Sequence, residues 1–455
     1  METVKTDILV IGAGSGGLSV AAGAVQMGAD VTLLEGHKMG GDCLNYGCVP
    51  SKALLHAGHA DMDWQQAHDH VRSTIATIEP HDSVERFEGL GVRVISEFGA
   101  FISPTEVQAG STKITARRIV IATGSSPFVP PIPGLDTVPF ETNETIFDLV
   151  EKPDHLLIIG GGPIGMEMAQ AHRRLGCDVT VIEGMTALGR DDTEAAEIVK
   201  AAMRDQGIAI EENAMAAEIR GQAGAIEIAA KDGRVFKGSH LLMAVGRQPN
   251  IDRLNLNVAG IDHDRSGIKV DASLKTSNRK VYAIGDVNGG MQFTHAAGYQ
   301  AGVIIRSALF GLPAKARADH IPWATYTDPE LAQIGLTEAQ ARKQYGDKLE
   351  VARFDYAGND RAIATGHITG FVKVMVVKGR PVGATIVGHQ AGEHINLWAL
   401  VIVNKLKMSA VAGMVSPYPS LGEVNKRAAG AYFSPRLFDS KGVKRVVGLV
   451  QRWLP

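Results

Sequence analysis

Short unbroken apolar runs organise this chain, and the two that order the rest are Ile8-Leu9-Val10-Ile11 and Leu157-Ile158-Ile159. Each reads as a buried strand and leads into a glycine turn, Gly12-x-Gly14-x-x-Gly17 after the first and Gly160-x-Gly162-x-x-Gly165 after the second. A helical stretch follows each turn, then Gly28 or Gly176. A second apolar strand comes next, Val31-Thr32-Leu33-Leu34-Glu35 or Val179-Thr180-Val181-Ile182-Glu183. Corresponding residues lie 148 positions apart, from Gly12 to Gly160 and from Glu35 to Glu183. One strand, turn, helix, strand unit is therefore present twice. Near the other end, Val443, Val446, Val447, Val450 and Leu454 recur at helical spacing among Lys444, Arg445 and Arg452, which predicts an amphipathic helix.

A glycine turn between a strand and a helix is the context in which this pattern binds a dinucleotide. The first glycine allows the tight turn, the second lets the backbone approach a pyrophosphate at the helix N-terminus, and the third permits close packing of helix on strand. Two nucleotide sites are therefore expected. Glu35 and Glu183, each 23 residues after the first glycine of its unit, are placed to accept from ribose hydroxyls. At the second site a carboxylate would repel a 2′-phosphate, so Glu183 favours NAD(H) over NADP(H), with Arg190 close enough in sequence to soften that preference.

Composition narrows the partners. A length of 455 residues suggests about two to four domains. Abundant glycine (52) with few aromatics (5%) suits an α/β nucleotide-binding protein. Lys and Arg (46) nearly balance Asp and Glu (49), so no basic patch argues for nucleic acid. The N-terminus shows no basic region followed by a long apolar one, and no apolar run reaches 18 residues. A soluble cytoplasmic protein is the expectation.

The three cysteines are too few for a disulfide scaffold. Cys43 and Cys48, placed after the first fingerprint and just before Lys52, suggest a redox pair fed by a cofactor. In a regular helix their Cα atoms would lie about 8.6 Å apart, beyond the about 7 Å that a disulfide tolerates. The segment is therefore expected to break helical geometry, with Gly47 supplying irregular backbone and Pro50 suiting the turn where helix begins. The repeat assigns the cofactor. The positions matching Cys43 and Cys48 in the second unit are Asp191 and Ala196, so only the first site sets thiols beside its nucleotide, and it should hold the flavin. Cys177 matches Ala29 and reads as an inert buried thiol.

Gly40-Gly41-Asp42-Cys43-Leu44-Asn45-Tyr46-Gly47-Cys48-Val49-Pro50-Ser51-Lys52 resembles the redox motif of the flavoprotein disulfide reductases, which include dihydrolipoamide dehydrogenases, glutathione reductases and mercuric reductases. Ile121-Ala122-Thr123-Gly124-Ser125 and Val245-Gly246-Arg247-Gln248-Pro249-Asn250 resemble the family's connections around the inserted domain. Tyr282-Ala283-Ile284-Gly285-Asp286 resembles its second flavin motif, whose aspartate binds the ribityl chain, and the segment 326–338 resembles the opening of its dimerisation domain. The resemblance implies an α/β fold with two Rossmann-like dinucleotide-binding domains, for FAD and NAD, and a C-terminal α+β dimerisation domain. The implied boundaries are 1–150 and 281–318 for FAD, 151–280 for NAD and 319–455 for the interface of a homodimer. The cofactor contacts implied are Gly12, Gly14, Gly17, Glu35, Lys52, Thr123, Gly124, Gly285 and Asp286 for FAD. For the nicotinamide nucleotide they are Gly160, Gly162, Gly165, Glu183 and Gly246.

The same resemblance assigns roles. Cys48 would be the thiol beside the flavin and Cys43 the thiol exposed to substrate. Lys52, one helical turn after Cys48, would stabilise negative charge and lower a neighbouring thiol pKa, with Glu167 as its carboxylate partner. Lipoamide and glutathione enzymes carry His-Pro-x-x-x-Glu near the C-terminus. Here Glu423 is kept while Tyr418 stands at the histidine's place, as it does in mercuric reductases. A phenol is a poor base at neutral pH, which should slow dithiol chemistry by about 10² to 10⁴. The mercuric reductases' C-terminal cysteine pair has no counterpart among the last five residues, Gln451-Arg452-Trp453-Leu454-Pro455.

The expected activity is transfer of electrons from NADH through FAD to the thiol pair and on to a small disulfide, a thiol-bound metal or another electrophile. The alternatives are a dihydrolipoamide dehydrogenase, a Hg(II) or other metal-ion reductase, and a low-turnover redox-sensing flavoprotein. The stretch with His56, His59, His68 and His70 among Asp61, Asp63 and Asp69 fits no zinc spacing and reads as a solvated helix face, so no resident metal is expected. His295 reads as structural or cofactor-contacting. The C-terminal amphipathic helix is expected to pack on its own domain or dimer, with a membrane surface or a docking partner as the alternative.

Overall fold

The strand Glu2–Ile11 is central to a seven-stranded sheet in the computed structural model, which describes residues 2–453. Leu454 of the amphipathic pattern lies outside the described residues. Glu2–Ile11 pairs in parallel with Val31–Leu34 on one side and Thr112–Ile121 on the other. Val281–Ala283 returns from far along the chain to lie parallel to Thr112–Ile121. The run Ile8 to Ile11 is buried on both faces, which is why it carries no polar alternation.

A second parallel sheet of four strands is built on His155–Ile159, flanked by Asp178–Ile182 and His240–Met243. The internal repeat extends to strand register. Ile8 faces Val31 as Leu156 faces Val179, and Ile11 faces Leu34 as Ile159 faces Ile182. The short ribbon of Ser125–Pro127 against Arg247–Pro249 joins the two segments that resemble the family's connections around the inserted domain.

The chain divides into two compact units, Met1–Met185 with Ile208–Arg317, and Thr186–Gly207 with Ala318–Pro455. The second unit is a five-stranded antiparallel sheet ordered Pro322–Thr325, Glu330–Gly335, Arg380–Gly388, Phe371–Val377, Leu349–Asp355. Its core joins Val372, Val374 and Ile386 of the sheet to Trp398 and Ala428 of two helices. Trp398 is fully buried, and its Nε1 donates to Asn425 Oδ1 at 2.8 Å, which removes the cost of a stranded indole N–H. Helix Thr193–Asp205 belongs to this unit, held by buried Lys373, whose Nζ lies 3.0 Å from Asp192, 2.9 Å from Glu194 and 3.0 Å from Glu338.

Among the described residues no helix is long and apolar enough to cross a membrane, and no group of three or more His, Cys, Asp or Glu is arranged to hold a metal ion. The solvated-face reading of the histidine-rich stretch needs one correction. His56, His59, Asp61, Asp63 and Asp69 are exposed, but His68 is buried beside Ala67 and Val71 on the inward stripe of helix Trp64–Ile78.

Candidate active site

Both glycine fingerprints take the same shape. Gly12 and Gly160 have φ of +104° and +115°, and a Cβ there would lie 2.5 Å from Ala122 O and 2.3 Å from Ala244 O respectively. At Gly17 and Gly165 a Cβ would lie 1.9 and 2.0 Å from the carbonyl of that first glycine, so helix and turn touch directly. The middle glycines differ. A Cβ on Gly162 would meet nothing within 4 Å, and one on Gly14 only Gly41 Cα at 4.0 Å. Each middle glycine is the N-cap of a helix, Ser15–Gln26 or Pro163–Arg174, without a side-chain cap. Open space in front of uncapped helix N-termini is what a pyrophosphate requires, so the residues present fit FAD at the first site and a nicotinamide nucleotide at the second.

The two glutamates are also equivalent. Glu35 Oε2 accepts from Ala13 N at 2.7 Å and Oε1 from His37 N at 2.8 Å. Glu183 Oε2 accepts from Gly161 N at 2.7 Å and Oε1 from Met185 N at 2.8 Å. Each carboxylate therefore ties its strand end to its glycine turn, and each oxygen keeps a lone pair for a ribose hydroxyl.

The redox segment docks on the first fingerprint alone. Gly40 N donates to Ala13 O at 3.0 Å, and a Cβ on Gly41 would sit 2.7 Å from Gly14 Cα. Helix Gly41–Asn45 carries Cys43 and helix Cys48–His59 begins at Cys48. Between them Gly47 adopts φ −125°, ψ −112°, so the backbone breaks where the cysteine spacing requires. Both thiols are free, with Cys43 half-buried and Cys48 exposed.

The environment splits the pair. Cys48 is brought down to about 6, chiefly because the Cys43 thiol donates to it. The charge of Lys52 and a contact with Thr294 Oγ1 at 3.6 Å add to this and outweigh the desolvation of the sulfur by its surroundings, although the residue as a whole is exposed. Cys43 is held above the ordinary thiol range by that same hydrogen bond, then by burial. Lys52 Nζ lies 2.7 Å from Oε2 of Glu167, which is buried in helix Pro163–Arg174. At neutral pH the arrangement is one thiolate, Cys48, stabilised by a thiol and an ammonium.

A second network backs the segment. Arg247, on the ribbon strand, lies 2.9 Å from Asp42 Oδ1 and donates from Nε to Ser125 Oγ at 2.7 Å. Ser125 in turn donates to Asp286 Oδ2 at 2.5 Å. Asn143 Nδ2 bonds both Asp42 Oδ1, at 3.0 Å, and Tyr46 O, at 3.1 Å. Burial raises the Asp286 carboxyl above the usual range, against the opposing pull of Ser125 and Arg247.

Residues 6–301 match the family described as pyridine nucleotide-disulphide oxidoreductase, and residues 321–429 match its dimerisation domain. The chain belongs to the pyridine nucleotide-disulphide oxidoreductase family. It is 32% identical to a mercuric reductase of Lysinibacillus sphaericus, over 93% of this chain and 82% of that protein. It is equally 32% identical to a dihydrolipoyl dehydrogenase of Staphylococcus aureus, over 94% and 96%. The Cu(II) complex of the HOCl-induced flavoprotein disulfide reductase RclA from Escherichia coli superposes with a TM-score of 0.87 at 29% identity, covering 92% of this chain and 99% of that one. This oxidoreductase is thus a flavoprotein-type enzyme of mixed α/β fold with a dimerisation domain, and FAD and a pyridine nucleotide are the cofactors typical of its family.

Within the oxidoreductase, the first unit brings together Cys43, Cys48, Lys52 and Glu167. It also holds Gly285, the first residue of a short 3-10 helix, at φ +72°, and Gly124 and Gly246 at φ +67° and +133°, with open space beside the Cα of the last two. Thr123 is engaged otherwise, its hydroxyl donating to Asn250 O at 2.8 Å. Tyr418 and Glu423 belong to the second unit. Tyr418 is exposed and donates to Asp360 Oδ2 at 2.7 Å, an acceptor that raises the phenol above its ordinary value. Glu423 opens helix Glu423–Phe438 and accepts from Arg427 Nε at 2.9 Å.

Thr294 and Asn143 carry no mark of their own in the sequence, and Asp42, Ser125 and Arg247 stand there only as members of motifs. Thr294 adjoins His295, which the sequence marks as structural or cofactor-contacting, and Asp42 is next to Cys43. Proximity to a chemical residue was the one available signal.

Proposed function

We propose that this enzyme takes electrons from NADH and delivers them, through FAD and the Cys43/Cys48 pair, to a thiophilic electrophile: a small disulfide or a thiol-bound metal ion. Residues 1–150 and 281–318 would hold FAD, 151–280 the nicotinamide nucleotide, and 319–455 would form the C-terminal domain that carries the homodimer interface. FAD, when bound, supplies the two-electron relay between nicotinamide and sulfur. The chain's residues do the rest. Gly14 and Gly162 admit the pyrophosphates, Glu35 and Glu183 accept from ribose, and Asp286 is the expected ribityl partner. Glu183, already fixed by Gly161 and Met185, would face a 2′-phosphate with like charge, hence NADH over NADPH.

The observation that carries this reading is the thiol pair itself, Cys43 and Cys48 set on either side of the break at Gly47, with Lys52 one turn beyond Cys48 and paired with Glu167 at 2.7 Å. Cys48 is held as the thiolate by the Cys43 thiol, Lys52 and Thr294. Cys43 hands its proton to the Cys48 thiolate, attacks one sulfur of a disulfide acceptor and expels the other as a thiolate, which takes that proton when Cys48 closes the pair. Lys52, oriented by Glu167, keeps positive charge beside the electron-rich sulfur throughout.

The names of its relatives favour a metal ion as one acceptor, and Tyr418 supports the same reading. A phenol raised by Asp360 presents even less phenolate at neutral pH than the unperturbed side chain, so less of it is available as a general base. Dihydrolipoamide oxidation is the second reading, favoured by the near full-length similarity to a dihydrolipoyl dehydrogenase. Anaerobic titration of the holoenzyme with NADH, then with a disulfide, Hg(II) or Cu(II), tests the proposal. A thiolate-to-flavin absorbance that forms with NADH, is discharged by an acceptor and is lost in Cys48→Ser supports it. Reduction of acceptors at full rate by Cys43→Ser sinks it, and dihydrolipoamide turnover exceeding every reductive activity decides for the second reading.

A further inference from the structure

The helix Lys441–Trp453 takes no part in the chemistry above, and it lies beyond the residues, 321–429, that match the dimerisation domain. It starts behind Ser440, whose Oγ accepts from Val443 N at 3.3 Å and whose carbonyl accepts from Lys444 N at 3.1 Å. None of its side chains is buried. At 100° per residue they segregate into two arcs. Val443, Val446, Val447, Leu449, Val450 and Trp453 form the apolar one. Lys441, Lys444, Arg445 and Arg452 share the other with Gln451 and Gly448. The apolar arc faces solvent, with Val446 59% and Trp453 76% exposed, and Phe438 at the end of the preceding helix extends it at 68%.

The charge on this helix is one-sided. It holds four of the chain's 46 cations and none of its 49 acids, so the remainder of the chain carries a formal charge of −7. Of the expectation that the segment packs on its own domain or dimer, the first half is not met, since no side chain of the helix is buried within the chain. Pairing of two such apolar arcs in a second copy would turn the cations of both helices outward, where neither helix offers an acid to compensate them. A plane of anionic headgroups supplies that compensation at the depth where the lysine and arginine stems end, while the apolar arc with its tryptophan enters the acyl boundary.

We propose that helix Lys441–Trp453 docks the enzyme on an anionic lipid surface, lying in the plane of the membrane. Full-length holoenzyme is to be cosedimented with vesicles of phosphatidylglycerol and phosphatidylcholine, and with phosphatidylcholine alone. Binding to the anionic vesicles at low salt should be at least about tenfold stronger than to the neutral ones and should weaken with added salt. The variant V446E/V450E sets carboxylates in the middle of the apolar arc, and K444E/R445E reverses two cations. Each should lower anionic-vesicle binding by about tenfold or more, with NADH oxidation in solution unchanged, since all four positions are exposed. Absence of binding to anionic vesicles at low salt overturns the proposal, as does undiminished binding by V446E/V450E. A smaller oligomer of V446E/V450E in gel filtration, without lipid binding by the parent, also overturns it and assigns the face to a second copy.

Discussion

Arg247 lies 2.9 Å from Asp42, the residue that precedes Cys43. The guanidinium is almost enclosed, and it reaches the Asp286 carboxylate through Ser125, so one cation ties the redox helix to the segment expected to hold the ribityl chain. Arg247→Met would leave Asp42 facing Cys43 without that cation. Because Asp42 is about a third exposed, the expected loss is about 1–3 kcal/mol rather than the larger cost of a fully buried charge. Thermal unfolding of the holoenzyme measures it. Arg247→Lys, a point charge without the planar fork, should recover only part, and full recovery would show that charge alone matters.

The thiols make a pH-dependent prediction. Cys48, lowered to about 6, should be alkylated by iodoacetamide in the reduced enzyme with a rate that rises through about pH 6 and then levels off. Cys43→Ser replaces the strongest source of that lowering and Lys52→Met removes the supporting charge, so both variants should move the midpoint upward. A midpoint unmoved in both would refute the account of how Cys48 is activated.

Acid should weaken the fold through His172. This side chain is fully buried, its Nδ1–H donating to Met168 O at 2.8 Å, while Nε2 has no hydrogen-bond partner. Burial brings its pKa down to about 4 from 6.5. The folded value is depressed, so the neutral ring's contribution is intact above pH 6.5 and is lost as pH falls toward 4. The loss is about 3 kcal/mol from this one group. His172→Gln should flatten the stability curve across that window, as followed by urea unfolding at several pH values.

Tyr418 offers a gain-of-function test. If the phenol limits dithiol chemistry, Tyr418→His should raise dihydrolipoamide oxidation by NAD by about 10²-fold. The gain should appear on the limb of the kcat/KM profile where imidazole is neutral. An unchanged rate would assign the slow step elsewhere.

Nucleotide preference follows from Glu183. Glu183→Ala should narrow the kcat/KM advantage of NADH over NADPH by removing the like charge, while also loosening the turn held through Gly161 and Met185. Parallel steady-state assays with the two nucleotides read this directly, and an unaltered ratio would place the discrimination in another residue.

Local order along the chain determined a great deal by itself. The apolar runs, the glycine turns and the 148-residue offset specify two equivalent nucleotide-binding units, because strand, turn and helix preferences act over a few residues. The spacing of Cys43 and Cys48 likewise demanded the backbone break found at Gly47. Tertiary structure alone decided which distant groups meet. Thr294 reaches Cys48 across 246 positions, and Arg247 reaches Asp42 across the ribbon of two connecting segments. His68 turned inward although Asp69 and His70 beside it are polar, since the stripe of Ala67 and Val71 sets the face of its helix. Such meetings depend on how whole elements pack, and no local preference carries that information. The tail helix is the converse case: its two arcs were legible in the spacing, but only the fold revealed that the apolar one is left uncovered.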